Sequence, residues 1–144
     1  MKMSTKKNKF KITNREKDVL EILWNSEKPL LASDITKLDP SLSISSVQLA
    51  LRNLLSKNII EVADIVYSGT VLSRNYRPTL SREDFLINSF KNFDQAINTQ
   101  NIVATLLKHE KNEADTINKL EALLKERKKE LRQEKKAQSP KKED

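Results

Sequence analysis

The sequence predicts a mainly α-helical fold with one small β-hairpin, and three observations predict it. Apolar residues recur at three- and four-residue spacings through residues 14–56 and again beyond residue 81. Between them, residues 59–78 switch to a two-residue period rich in strand formers around a single Ser-Gly-Thr turn. The polar positions of the helix just before that switch collect on one side. Those periods belong to helices and to a strand pair, and the order helix, short helix, helix, hairpin is that of a winged helix-turn-helix module. Further helices suited to dimerisation follow it.

The first helix is announced by Thr13 or Asn14 as cap, with Glu16 close behind and Val19, Leu20, Leu23 and Trp24 on one face, and it should end near Asn25. Beyond the Lys28-Pro29 break, Leu31, Ile35 and Leu38 make a very short second helix that Asp39-Pro40 stops. Ser43 or Ser45 caps a third helix, with Val47, Leu51 and Leu54 as its buried stripe and Ser46, Gln48, Leu49, Arg52 and Asn53 facing elsewhere. From Ile59 to Pro78, Ile60, Val62 and the run Ile65-Val66-Tyr67 form one strand, Ser68-Gly69-Thr70 turns, and Val71 to Arg77 returns. A lone two-stranded hairpin is marginal, so it must pack on the helices.

Past Ser81, Glu83 and Asp84 open a helix carrying Phe85, Leu86, Phe90 and Phe93, and a further one carries Ile102, Val103, Leu106 and Leu107. A last helix, from about Asn112 to Glu134, aligns Ile117, Leu120, Leu124 and Leu131 as the seam of a partner-seeking helix, with Arg127 or Lys128 interrupting it. The expected organisation is a basic arm over 1–11, the winged-helix domain over 12–80, a helical dimerisation region over 81–134 and a disordered basic tail over 135–144.

Charge and composition narrow the function. The 144 residues carry 27 Lys and Arg against 20 Asp and Glu, a formal charge of +7, which favours a polyanionic partner. The excess lies at the ends: residues 1–15 hold six bases and no acid, whereas 16–80 hold seven bases and eight acids. Gly69 is the single glycine, so no glycine-rich phosphate loop can be built. No cysteine and one histidine, His109, leave no thiol nucleophile, thiolate metal site or histidine pair, so neither metal nor cofactor is expected. No carboxylate pair stands apart from neighbouring bases as general acid and base would require, and an enzyme is not expected. With no signal sequence and no stretch near the ~18 apolar residues of a membrane span, a cytoplasmic protein is expected.

The third helix is the candidate reading head. Ser46, Gln48, Leu49, Arg52 and Asn53 offer hydroxyl, amide, methyl and guanidinium groups, which can distinguish base pairs in a major groove. A solvated helix face has the same polarity, but a position between a short helix and a hairpin favours the reading head. Ser45 and Ser46 at the helix start can cap it or hold a phosphate. Lys57, Arg74 and Arg77 are candidates for flanking phosphates, and the basic arm with Phe10 for added affinity.

The stretch from Thr13 to Phe85 resembles the winged-helix repressors of penicillinase and methicillin-resistance operons and their copper-responsive relatives. The resemblance rests on Asn75-Tyr76-Arg77-Pro78 with Leu80-Ser81-Arg82-Glu83-Asp84-Phe85, on Glu16 to Trp24, on Ala32-Ser33-Asp34-Ile35, and on Ser46-Val47-Gln48 with Leu51 and Leu54. It implies a homodimer that represses transcription by binding a two-fold symmetric operator in double-stranded DNA. The reading residues would be Ser45, Ser46, Gln48, Leu49 and Arg52, with Arg74 and Arg77 on the wing. It also implies dimer contacts through Phe90, Phe93, Leu106, Leu107, Ile117, Leu120 and Leu124, and an inducer or sensor protein that the sequence does not name. Leu49 and Asn53 stand where the family usually has threonine and arginine, which points to a different operator sequence. Lys108-His109 stands where antibiotic-responsive members carry the Asn-Phe bond that a sensor protease cuts, and the cysteine pairs of the copper branch are missing. The rival reading is a winged-helix protein-interaction module, favoured by the near-neutral residues 16–80. A third is non-specific nucleic-acid binding through the tails.

Overall fold

The computed structural model describes residues 9–90 and 98–138. In chain order the elements are α1 (Asn14–Asn25), β1 (Leu30–Leu31), α2 (Ala32–Leu38), α3 (Ile44–Ser56), β2 (Ile60–Ser68), β3 (Val71–Pro78), α4 (Arg82–Phe90), α5 (Thr99–Lys108) and α6 (Glu113–Gln138). They fall into two compact units, Met1–Asp94 and Gln95–Asp144. The architecture is that of a winged helix with helices following it.

In the first unit, α1 starts at a reciprocal cap. The Glu16 N–H donates to Thr13 Oγ1 (3.1 Å) and the Thr13 N–H donates back to Glu16 Oε1 (3.2 Å), satisfying two donors that a helix start leaves open. The short α2 is held by the Leu31 N–H donating to Asp34 Oδ2 (2.9 Å). Ser43 caps α3, accepting from the Ser46 N–H. At the far end of α3, Asn58 adopts the left-handed conformation (φ 60°). Its N–H bonds Leu55 O (3.0 Å), and the Ile59 N–H bonds Leu54 O (3.1 Å), a Schellman stop. Ile59 and Leu54, which flank that stop, are both fully buried.

The apolar stripes of α1 and α3 meet in one core. Val19, Leu20, Leu23, Ile35, Val47, Leu51, Leu54, Ile59 and Ile60 are buried, and Leu30 and Leu42 close its margins. Leu38, read as part of the α2 stripe, is instead 63% exposed as the last residue of that helix, and Ile35 is the residue that α2 buries.

The sheet is three-stranded, in the order β1-β3-β2, rather than a two-stranded hairpin. Leu30 and Leu31 pair with Tyr76 and Asn75, and this two-residue strand ties the wing's base to the helices. The wing proper runs in register from Ile60↔Pro78 to Ser68↔Val71, with a bulge between Val62 and Asp64. Gly69 begins the two-residue turn at φ +67°, which glycine tolerates without strain.

Helix α4 belongs to this first unit, beyond the boundary that the sequence placed at residue 80. Phe85 packs edge-on against Trp24 and Phe10, each at 5.5 Å between ring centroids. The Trp24 indole N–H donates to Leu80 O (2.9 Å), and Arg82 reaches Glu21 (2.7 Å) and Asn25 (3.0 Å) while lying over the Trp24 ring. The aromatic and polar contacts together fasten α4 to α1.

In the second unit, Asn98 and Asn112 supply the side-chain caps of α5 and α6, accepting from the N–H groups of Asn101 (2.9 Å) and Asp115 (3.1 Å). No residue of α5 or α6 is buried. Helix α6 runs on to Gln138, past the end expected at Glu134, so residues 135–138 are helical and not tail. Lys, Gln and Ala are good helix formers, and Lys135 and Lys136 in the last turn complement the helix dipole.

Candidate nucleic-acid interface

Helix α3 divides its residues by depth. Val47, Ala50, Leu51 and Leu54 face the core, whereas Ser45, Gln48, Leu49 and Arg52 are exposed, Leu49 to 53%. Helical spacing puts Ser45, Leu49 and Arg52 on one exposed face, with Gln48 one turn before Arg52. At the helix start the Ser43 hydroxyl donates to Ser46 Oγ (2.9 Å), so Ser46 is half-buried and committed to the cap, while Ser45 is exposed.

The wing completes a concave surface with this face. Gln48, Arg52 and Leu55 of α3, Ser33 at the start of α2, and Ser73, Arg74 and Tyr76 of β3 line an open cleft of about 560 Å³. Arg52 and Arg74 both line it, and neither makes an ion pair among the described residues. Guanidinium groups beside an amide and hydroxyls have the donor chemistry that suits phosphate oxygens and acceptor-rich base edges.

Three of the sequence-predicted contacts make bonds within the protein. The Asn53 amide donates from Nδ2 to Glu16 Oε2 (3.0 Å), and Lys57 Nζ reaches Glu16 Oε1 (3.3 Å) and the Lys11 carbonyl (3.1 Å). Both side chains therefore turn toward α1. Arg77 Nε donates to Glu61 Oε2 (2.7 Å), its cross-strand partner, on an exposed part of the sheet.

Glu16, only 4% exposed, was missed as a site-shaping residue. Burial pushes its carboxyl up, but hydrogen bonds from the Asn53 amide and the Thr13 N–H, with the Lys57 ammonium, outweigh this and hold it below the ordinary carboxyl value. The signal available in the sequence was its place three residues after Thr13, which indicates a capping role only.

Of the residues expected at the dimer contact, Leu106 and Leu124 are 60% and 62% exposed, Ile117 is 37% exposed, and Leu107 and Leu120 are half-buried. Phe90 is half-buried at the end of α4. Phe93 lies outside the described residues. His109 is the C-cap of α5, its N–H bonding Leu106 O (3.0 Å). Among the described residues no three His, Cys, Asp or Glu side chains group as metal ligands, and no helix is long and apolar enough to cross a membrane.

A short helix leading to a polar-faced helix, flanked by a wing whose Arg74 lines the same cleft, defines a DNA-binding winged helix-turn-helix protein. The comparison with family models agrees: the penicillinase repressor model matches residues 12–126, and the chain belongs to that family of transcriptional repressors. Solved structures similar to it include a mutant of S. aureus MepR bound to an oligodeoxyribonucleotide (23% identity, 83% of this chain and 80% of that one, TM-score 0.46). The adhesin competence repressor AdcR from Streptococcus pyogenes is another (18% identity, 84% and 83%, TM-score 0.43). No curated protein matches the chain.

Proposed function

We propose that this protein is a sequence-specific repressor that binds a two-fold symmetric operator as a homodimer in the cytoplasm. The observation that carries the reading is the shared cleft: Gln48 and Arg52 of α3 and Arg74 of the wing line it together, and neither guanidinium makes an ion pair among the described residues. Ser45, Gln48, Leu49 and Arg52 read base edges, the start of α3 that Ser43 and Ser46 cap faces a phosphate, and Arg74 holds the flanking backbone. Asn53 and Lys57 hold the helix in position through Glu16, and Arg77 braces the wing through Glu61.

The homodimer is supported by α5 and α6, which leave Leu106, Leu123, Leu124 and Leu131 largely exposed and bury no side chain by themselves. A second copy laid on that seam would cover them. One observation favours the rival protein-interaction reading: the wing end exposes Ile65, Tyr67, Val71 and Leu72, each by more than half.

Selecting duplexes from a random pool with the purified protein, at about physiological salt and with competitor DNA present, tests the proposal. Enrichment of a two-fold symmetric motif is the expected result. A folded protein that enriches no motif would shift the assignment to a protein partner at the wing. The release signal is an inducer or a sensor protein whose chemistry the site does not specify.

A further inference from the structure

The second half of α6 sorts its charges by face. Lys125, Lys129, Arg132 and Lys136 follow one another at steps of four, three and four residues, so they lie along a single side of the helix, with Lys128 and Lys135 at its edge. Glu126, Glu130 and Glu134 line another side, where Arg127 bonds Glu130 (3.0 Å) and Glu134 (3.3 Å). None of the six edge and stripe cations makes an ion pair among the described residues, and all are exposed.

This is not how a helix is stabilised for solvent alone. Opposite charges four apart support a helix and like charges four apart weaken it. Earlier in α6 the supportive arrangement is present, with Lys119 bonded to Asp115 at 3.0 Å. From residue 125 on, charges four apart pair base with base and acid with acid, and the opposite-charge bonds run instead from Arg127 to Glu130 and Glu134, three and seven residues on. The stripe also falls mostly outside the family match, which ends at residue 126.

We propose that this stripe is a second polyanion-binding surface whose occupant is the phosphate backbone of a DNA duplex. At about 1.5 Å of rise per residue it is about 16 Å long, a length over which a duplex presents a continuous run of phosphates. The stripe bears no aromatic or apolar residue that a membrane surface would take up. Lys125, Lys129, Arg132 and Lys136 lie to one side of Ile117, Leu120 and Leu124, so a copy covering those residues leaves these four open, whereas Lys128 and Lys135 fall in line with the seam. The contact adds affinity without sequence preference and is independent of how the cleft reads bases.

The test is salt-dependent binding of the full-length protein to a mixed-sequence DNA duplex. A variant carrying Lys125→Gln, Lys129→Gln, Arg132→Gln and Lys136→Gln is compared with one carrying Lys125→Arg, Lys129→Arg and Lys136→Arg, with helicity checked by circular dichroism. The glutamine variant is expected to keep its helicity and to lose about 3.6 from the magnitude of the log–log salt slope, at roughly 0.9 for each of the four phosphate contacts. The arginine variant should retain the parental slope. An unchanged slope in the glutamine variant, or a parent that binds no duplex, overturns the proposal. So does loss of binding to phosphatidylserine vesicles with duplex binding intact, which would give the stripe to a membrane.

Discussion

Glu16 and Asn53, 37 residues apart in sequence, meet at 3.0 Å through Oε2 and Nδ2, and this contact joins the start of α1 to the last turns of the candidate reading helix. The same carboxylate accepts from the Thr13 N–H and from Lys57. One buried acid thus closes the cap of its own helix and holds the end of another.

Replacing Glu16 with alanine removes that junction and leaves the Asn53 amide and a helix-start N–H without their acceptor. A loss of about 2–3 kcal/mol in urea denaturation is expected. The pH dependence has a definite sign. The folded carboxyl titrates below the unfolded one, so its contribution is complete above the unfolded value, near 4.5, and is lost as pH falls through the lower folded value. The Glu16→Gln variant should lose stability less steeply than the parent in that acid range.

Asn58 terminates α3 in the left-handed conformation. Asn58→Ala should cost about 1 kcal/mol, because alanine keeps the Cβ penalty and loses the local polar interactions that let asparagine tolerate this conformation, whereas Asn58→Gly removes the penalty and should be neutral or stabilising. Thermal melts of the two variants check this.

A chain ending at residue 94 should fold as a monomer with weak operator binding, since two modules on one site gain from effective concentration. A chain ending at residue 80 loses Phe85 from against Trp24 and should melt at lower temperature. Equal melting of the two fragments would show that α4 adds nothing to the first unit.

The two wing arginines should differ. Arg74→Ala is expected to reduce the magnitude of the salt slope by about 1. Arg77→Ala removes an exposed ion pair worth roughly 0–1 kcal/mol and should leave the slope nearly unchanged. Fluorescence anisotropy across a salt series distinguishes them.

Local chemistry made much of the fold legible. Thr13 with Glu16, Ser43 before α3, and Ser68-Gly69-Thr70 between two alternating runs each state their structure within a few residues. Strand β1 was not legible, because two residues carry no period and its pairing depends on Tyr76 and Asn75 far along the chain. The extent of the exposed polar face of α3 was legible only in part. Helical spacing separates Gln48, Leu49 and Arg52 from the core stripe, but Asn53 and Lys57 turn inward for a carboxylate that no local pattern connects to them. The end of α6 was hidden for another reason, since its Lys and Glu residues have the composition of a tail and the periodicity of a charge-sorted helix.

Under the proposed function, adjacent residues of α3 do different work, Arg52 reading bases and Asn53 holding the helix. The most direct test compares Arg52→Ala and Asn53→Ala on a selected operator and on a scrambled duplex, with stability measured alongside. Arg52→Ala is expected to keep the parent's stability and lose about 1–3 kcal/mol of preference for the operator, while Asn53→Ala loses stability and keeps the preference of its folded fraction. An Arg52→Ala protein that still discriminates the two duplexes as the parent does would contradict the account.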